Sequence, residues 1–183
     1  MYGLIDLTEV YADDVTKATR GIALTNNRSE VVVQDEIIAD NPIEVYSFFP
    51  TKQNIKLTDD PKVAYMYSES GKKIRLDITS PANAEWEVMN NVPLPTSPFH
   101  EQNNMTGNGV AGEKLFVHLT NAVNPTISVT IRNGYEGVEE TRPSECIPHS
   151  EWDTYLEEKA SIDMLYIDGI PVNGFSKNCA SYV

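Results

Sequence analysis

Apolar residues in this chain recur at every second position far more often than at every third or fourth. In "KKIRLDIT", Ile74, Leu76 and Ile78 alternate with Lys73, Arg75, Asp77 and Thr79. In "EKLFVHLT", Leu115, Val117 and Leu119 share one face, with Phe116, His118 and Thr120 opposite. "TISVTIR" sets Ile127, Val129 and Ile131 against Ser128, Thr130 and Arg132. Successive side chains of a strand point to opposite faces, so this period predicts antiparallel strands with one face in a core and one in water. Further strands are expected over 4–8, 17–24, 29–38, 44–49, 53–57, 63–68, 85–89 and 164–167.

Turn chemistry agrees with the alternation. "TNNRS", "TDDPK", "SESGKK" and "DGIPVNG" supply Asn, Asp, Gly and Pro where the chain must reverse. Strands separated by such short polar turns indicate an all-β fold, an antiparallel two-sheet β-sandwich. One short helix is expected near the C-terminus, in "SEWDTYLEEKAS", with Ser150 as its N-cap. Residues 90–112 carry prolines early and glycines late with no period, and read as one long loop. The expected division is a sandwich over 1–149, then a short helix and terminal strand–turn segment over 150–183. That last segment either packs on the sandwich or starts a further module.

Composition changes the picture little, and charge changes it more. At 183 residues, a single domain burying roughly 70% of its unfolded surface is the expectation. Hydrophobic (40%) and charged (22%) fractions are those of a globular chain. No apolar run reaches the roughly 18 residues of a membrane span, and "MYGLIDLTEVYADD" has neither a basic start nor an apolar h-region. The 14 basic against 27 acidic residues give a formal charge of −13, which excludes a nucleic-acid or anionic-membrane binder by charge. Cys146 and Cys179 are the two cysteines and form neither a CxxC nor a zinc-type spacing, so no cofactor or metal is expected.

Candidate chemistry is sparse. "QDEII" at 34–38 ends a strand with Asp35 and Glu36, an acid pair that invites a catalytic or ligating reading. Alternation sends Asp35 and Glu36 to opposite faces, so they work as a pair only across a bulge. Asp35 sits on an otherwise apolar face and is expected to pair with Arg20 across the hairpin in a structural role. Three histidines are widely separated. His118 reads as a sheet-face residue, and His100 and His149 as solvated loop residues. No GxSxG, P-loop, HExxH or EF-hand pattern occurs. Sugar stacking would need exposed aromatics. Tyr65 and Tyr67 share a strand face with Val63 and, with Trp86, are expected in the core. Trp152 is the least constrained, which leaves Trp152, His100 and Tyr135 as substrate-binding candidates.

Several phrases resemble the β-sandwich region of heparinase II/III-like polysaccharide lyases. Asp6, Leu7, Thr8 and Tyr11 match an Asp-Leu-Thr-x-x-Tyr segment. Arg20–Gly21 matches a following Arg-Gly strand, and Val33, Asp35 and Glu36 match a strand ending Val-x-Asp-Glu. "LDITSPANAEWEVMNNVPLPTSP" and "GEKLFVHLTNAVNPTISVTI" are similar to later strands of that region, and the terminal "YIDGIPVNGFS" resembles the strand–turn motif that often trails such domains. The resemblance covers about residues 1–131. It implies a multi-domain parent in which an α-helical toroid supplies the catalytic Tyr and His or Asn residues. A further His and the zinc ligands belong to the early sandwich. None of these residues is matched here. The expectation is therefore a non-catalytic sandwich that scaffolds an N-terminal catalytic domain and forms a wall of its cleft. The alternative is a module binding a polysaccharide or oligosaccharide through exposed aromatics. The resemblance places the protein in the periplasm or outside the cell.

Overall fold

The computed structural model of the chain describes residues 1–91, 112–134 and 143–155, together with the backbone pairing of Tyr166–Ile167 with Ile170–Pro171. The sandwich is built from β1 (Tyr2–Asp6), β2 (Lys17–Thr25), β3 (Glu30–Ile38), β4 (Ile43–Thr51), β5 (Asn54–Leu57), β6 (Val63–Tyr67), β7 (Lys73–Ser80), β8 (Trp86–Asn90), β9 (Glu113–Ala122) and β10 (Thr126–Asn133). Seven strands form one antiparallel sheet in the order β1-β2-β3-β10-β7-β6-β5, and three form a second in the order β4-β9-β8. The fold is the antiparallel two-sheet sandwich that the alternation predicts. The longest hairpin joins β2 to β3, in register from Lys17↔Ile38 to Thr25↔Glu30. Its turn holds Asn26 at φ 45° and Arg28 at φ 65°, a left-handed conformation that Asn tolerates and Arg adopts rarely.

The main core lies between the sheets. Ala64, Met66, Leu76, Ile78, Ile127 and Val129 project from the large sheet to meet Trp86, Leu115, Val117 and Leu119 of the small one. Trp86 also donates its indole N–H to the Lys62 carbonyl at 2.9 Å, so its polar atom is satisfied inside the core. The expected core placement of Tyr65 and Tyr67 is corrected. The core face of β6 is Ala64 and Met66, and the two tyrosines lie half-buried on the other side, with Lys73 Nζ 5.1 Å from the Tyr65 ring centroid. Small and sulfur-bearing side chains fit the narrow inter-sheet space there, and phenols can keep their hydroxyls in water on the outer face.

A second expectation is also corrected: over β3, β10 and part of β7 the polar face of the large sheet is not wet. Ser128 and Thr130 are fully buried, Gln34 is 1% exposed, Glu30 2% and Asp77 5%. Asp77 accepts hydrogen bonds from Arg75 Nε at 2.9 Å and Arg132 Nε at 3.0 Å, which neutralises the carboxylate inside the protein. Over β1–β3 the cover is a strap, residues 143–155, which crosses the outer face of the sheet. Its Ser144 N–H donates to Glu30, and Thr25 Oγ1 donates to the same carboxylate at 2.7 Å. Gln34 Nε2 donates to the Ile147 carbonyl at 2.7 Å, and the His149 N–H to Glu36 Oε1 at 2.6 Å. The strap ends in a 3-10 turn (His149–Glu151) and a helical turn at 152–155, the short helix near the C-terminus. Pro148 rather than Ser150 caps it, and Ser150 lies inside the turn. Pro at that position loses nothing, because the first backbone N–H groups of a helix have no partner in any case.

Candidate functional site

Three surfaces of the fold carry groups with potential for chemistry. The first is the inner face of β1–β3. The small sheet has only three strands and its edge, β4, reaches no farther than β3. There Ser47 Oγ donates to Asp35 Oδ2 at 3.1 Å. Beyond that line no second layer among the described residues covers the inner-facing residues of β1 and β2. Ile5 is 49% exposed and Ile22 44%, with Leu24, Val31 and Val33 half-buried beside them. These five apolar residues share the face because the register sets Ile5 beside Arg20, Ile22 beside Val33 and Leu24 beside Val31.

Arg20 and Asp35 mark the boundary between covered and uncovered surface. They are cross-strand partners, and the guanidinium binds the carboxylate in two places, Nε to Oδ1 at 2.6 Å and Nη2 to Oδ2 at 2.8 Å. The paired Asp35 raises the Arg20 pKa further above its ordinary value. With Ser47 the pair links the two sheets. Glu36 points the other way, toward the strap, so the two acids are separated by the thickness of the sheet.

The second surface is the socket under the strap. Trp152 is 3% exposed, its indole N–H bonded to the Ile147 carbonyl at 2.9 Å and its ring edge-on to Tyr2 at 5.7 Å and to His149 at 4.7 Å. This corrects Trp152 as a sugar-stacking candidate: both ring faces are inside the protein. Its free appearance in sequence came from the lack of alternation around it. The contact that buries it is with β1 and β2, more than a hundred positions away. His149 is likewise buried, at 8%, and is not a solvated loop residue. Burial pushes its imidazole below the ordinary histidine value. Burial also pushes the Cys146 thiol up, and its Sγ bonds Gln34 Oε1 at 3.3 Å, the setting of an inert thiol. Of the other candidates, His100 and Tyr135 lie outside the described residues, as does Cys179.

The third surface is the outward face of the small sheet, which sequence reasoning passed over. Tyr46 stacks on His118 at 4.2 Å and 8°, and beside Phe48 at 5.6 Å and 12°. Lys114 Nζ sits 4.4 Å from the Phe48 centroid. Glu44 accepts from His118 Nε2 at 2.8 Å and from the Tyr46 hydroxyl at 3.2 Å, while Glu87 lies 3.9 Å from His118 Nδ1. Loss of hydration, then the Glu44 bond, raises the Tyr46 pKa. The available signal was that "EVYSFF" and "KLFVHL" both place rings on the register opposite the core. Chemically the cluster is ill suited to uronate elimination. That reaction needs cations to neutralise the substrate carboxylate, and two glutamates flank the only described base here that is open to solvent. Among the described residues, no group of three His, Cys, Asp or Glu is arranged to hold a metal ion.

No family model and no curated protein matches the chain. Solved structures give a partial match of low identity. Part of the chain is similar to heparan sulfate lyases. The heparan sulfate lyase HepC from Pedobacter heparinus aligns at 10% identity with a TM-score of 0.49, covering 68% of this chain and 19% of the lyase. A heparinase III, the BT4657 gene product, aligns at 11% identity with a TM-score of 0.45, covering 64% of this chain and 17% of the enzyme. The chain thus corresponds to less than a fifth of the length of these lyases.

Proposed function

We propose that the chain is a non-catalytic β-sandwich domain of a heparinase II/III-like polysaccharide lyase, packing against the catalytic domain and forming a wall of the substrate cleft. The observation that carries this reading is the inner face of β1–β3, which the described residues leave partly exposed. Exposed Ile5 and Ile22, with Leu24, Val31 and Val33, form a contiguous apolar strip on one side of a rigid sheet. A sheet face of this kind gains when a second layer covers it. The phrases shared with the lyase sandwiches name the kind of domain. By the same resemblance the protein works in the periplasm or outside the cell.

The second reading, a glycan-binding module, is favoured by the Tyr46–Phe48–His118 cluster with its two glutamates. It ranks lower on geometry: Tyr46 and His118 stack on each other, and Phe48 has Lys114 over its ring. Pyranose stacking needs an open ring face. The two readings separate in one experiment on the isolated chain. Heparan sulfate and neutral oligosaccharides are titrated by calorimetry, and lyase turnover is followed by the ultraviolet absorbance of unsaturated uronides. The scaffold reading expects neither heat nor turnover. Turnover would overturn it, and saturable binding would promote the module.

A further inference from the structure

We propose that the strap is an acid-released latch, opened by protonation of His149. The His149 ring lies in a closed socket whose floor is the Gly21 backbone. A Cβ on Gly21 would fall 2.5 Å from His149 Nε2 and 2.5 Å from Trp152 Cη2. Thr19 Oγ1 is 3.0 Å from Nδ1, and the Trp152 ring stands edge-on at 4.7 Å. Nε2 is buried with no hydrogen-bond partner among the described residues. The neutral ring fits this socket. In the tautomer that carries its proton on Nδ1, the ring donates to Thr19 Oγ1 and leaves Nε2 as a bare lone pair. The imidazolium fits worse, because its second N–H, on Nε2, makes no well-formed hydrogen bond to the described residues. A buried charged donor without a partner is far costlier than an unused lone pair, and the ring can satisfy it only by moving out to water.

The charges around the ring pull in both directions. From β3, the Glu36 carboxylate lies 3.7 Å from Nδ1 and favours the cation, as do a backbone hydrogen bond to Gln34 and, less strongly, Asp35 on the opposite face of the sheet. From β2, Lys17 opposes it. On the strap itself, Glu151 and Asp153 are exposed, and Asp153 accepts a hydrogen bond from the Tyr2 hydroxyl of β1. Burial is the largest influence, and it holds His149 below its ordinary value of 6.5. The released ring titrates near that ordinary value and the latched ring below it. The open state therefore binds more protons as pH falls under about 6.5. Above that pH closure no longer depends on pH. Below it the equilibrium constant for closure drops about tenfold per pH unit until the latched pKa is reached. The other strap contacts, Gln34 to Ile147 and Ser144 to Glu30, involve no histidine, so release is confined to the His149–Trp152 end.

The test is a proton NMR titration of the full chain from pH 8 to 5, following the His149 ring and both indole N–H signals, with limited proteolysis alongside. The expected result is one midpoint below 6.5 shared by His149 and Trp152, an unmoved Trp86, and cleavage within 143–155 rising about tenfold per pH unit below about 6.5. His149→Gln, which keeps a polar side chain that does not titrate, should abolish the transition. The proposal is overturned if His149 titrates at or above 6.5, or if Trp152 ignores the His149 titration. It fails equally if Trp86 shifts in parallel or if His149→Gln keeps the transition. Should that variant not fold, the wild-type titration decides alone.

Discussion

Gly21→Ala tests the strap directly, because the structure fixes where the new methyl must go. It would lie 2.5 Å from His149 Nε2 and 2.5 and 2.7 Å from two Trp152 ring carbons, where ordinary contact begins near 3.4 Å. The overlap is therefore about 1 Å, against two rings that are themselves packed. The strap either retreats as a body or lets Trp152 go. Retreat is an overpacking event of about 1–3 kcal/mol. Full release exposes an aromatic side chain of roughly 150–250 Å², an upper limit of about 4–6 kcal/mol at roughly 25 cal/mol per Å². We expect the lower range, and for a chain of this size a fall in Tm of about 2–12 °C. The assay is thermal denaturation by circular dichroism, with tryptophan emission as the local readout. Gly3→Ala is the control. Gly3 is in the neighbouring strand β1, and a Cβ there meets nothing within 4 Å. Equal melting of Gly21→Ala, Gly3→Ala and wild type, with unshifted emission, would refute the packing of the strap on β2.

Asp35→Ala removes the carboxylate that joins Arg20 to Ser47. Because the Arg20 side chain is 35% exposed and regains water, the loss should be about 1–3 kcal/mol in urea denaturation, with coupling to Ser47→Ala in a double-mutant cycle. Asp77→Ala should cost more, about 3–5 kcal/mol, because it strips the shared carboxylate from Arg75 and from the largely buried Arg132. An effect at Asp77 smaller than that at Asp35 would contradict the burial assigned to the outer face. Ile22→Asp, on the inner face of β2, should cost the isolated chain about 1–2 kcal/mol, since Ile22 is 44% exposed and Asp is a poor strand former.

The strands were legible because alternation carries its own periodic signal. Leu76, Ile78, Leu115, Val117, Ile127 and Val129 all occupy the core face that their spacing assigns. The Arg20–Asp35 partnership was legible for a related reason: a two-strand hairpin fixes its own register over a few residues. What could not be read was anything that depends on a third layer. Ser128, Thr130 and Gln34 look like a solvated face in sequence. A segment more than a hundred positions from Gln34 covers this sheet, and its hydrogen bonds to Gln34, Glu30 and Glu36 leave no local trace. Trp152 and His149 were misplaced by the same blindness. The uncovered inner face was hidden for the opposite reason, since Ile5 and Ile22 alternate as core residues do. Only the strand count of the small sheet, three against seven, reveals that nothing in the described residues lies over them. The ring cluster at Tyr46 and His118 needed the β4–β9 register, Tyr46 opposite His118 and Phe48 opposite Phe116.

The central claim is that the inner face of β1–β3 docks a catalytic domain of the same protein. The most direct measurement is the association of this chain with the domain encoded upstream in its reading frame, by calorimetry or co-purification, using wild type and Ile22→Asp. The account predicts a helical lyase domain that binds the wild-type chain and loses affinity at least tenfold, about 1.4 kcal/mol, with the variant. Unchanged binding by Ile22→Asp, or the absence of any such upstream domain, would contradict it.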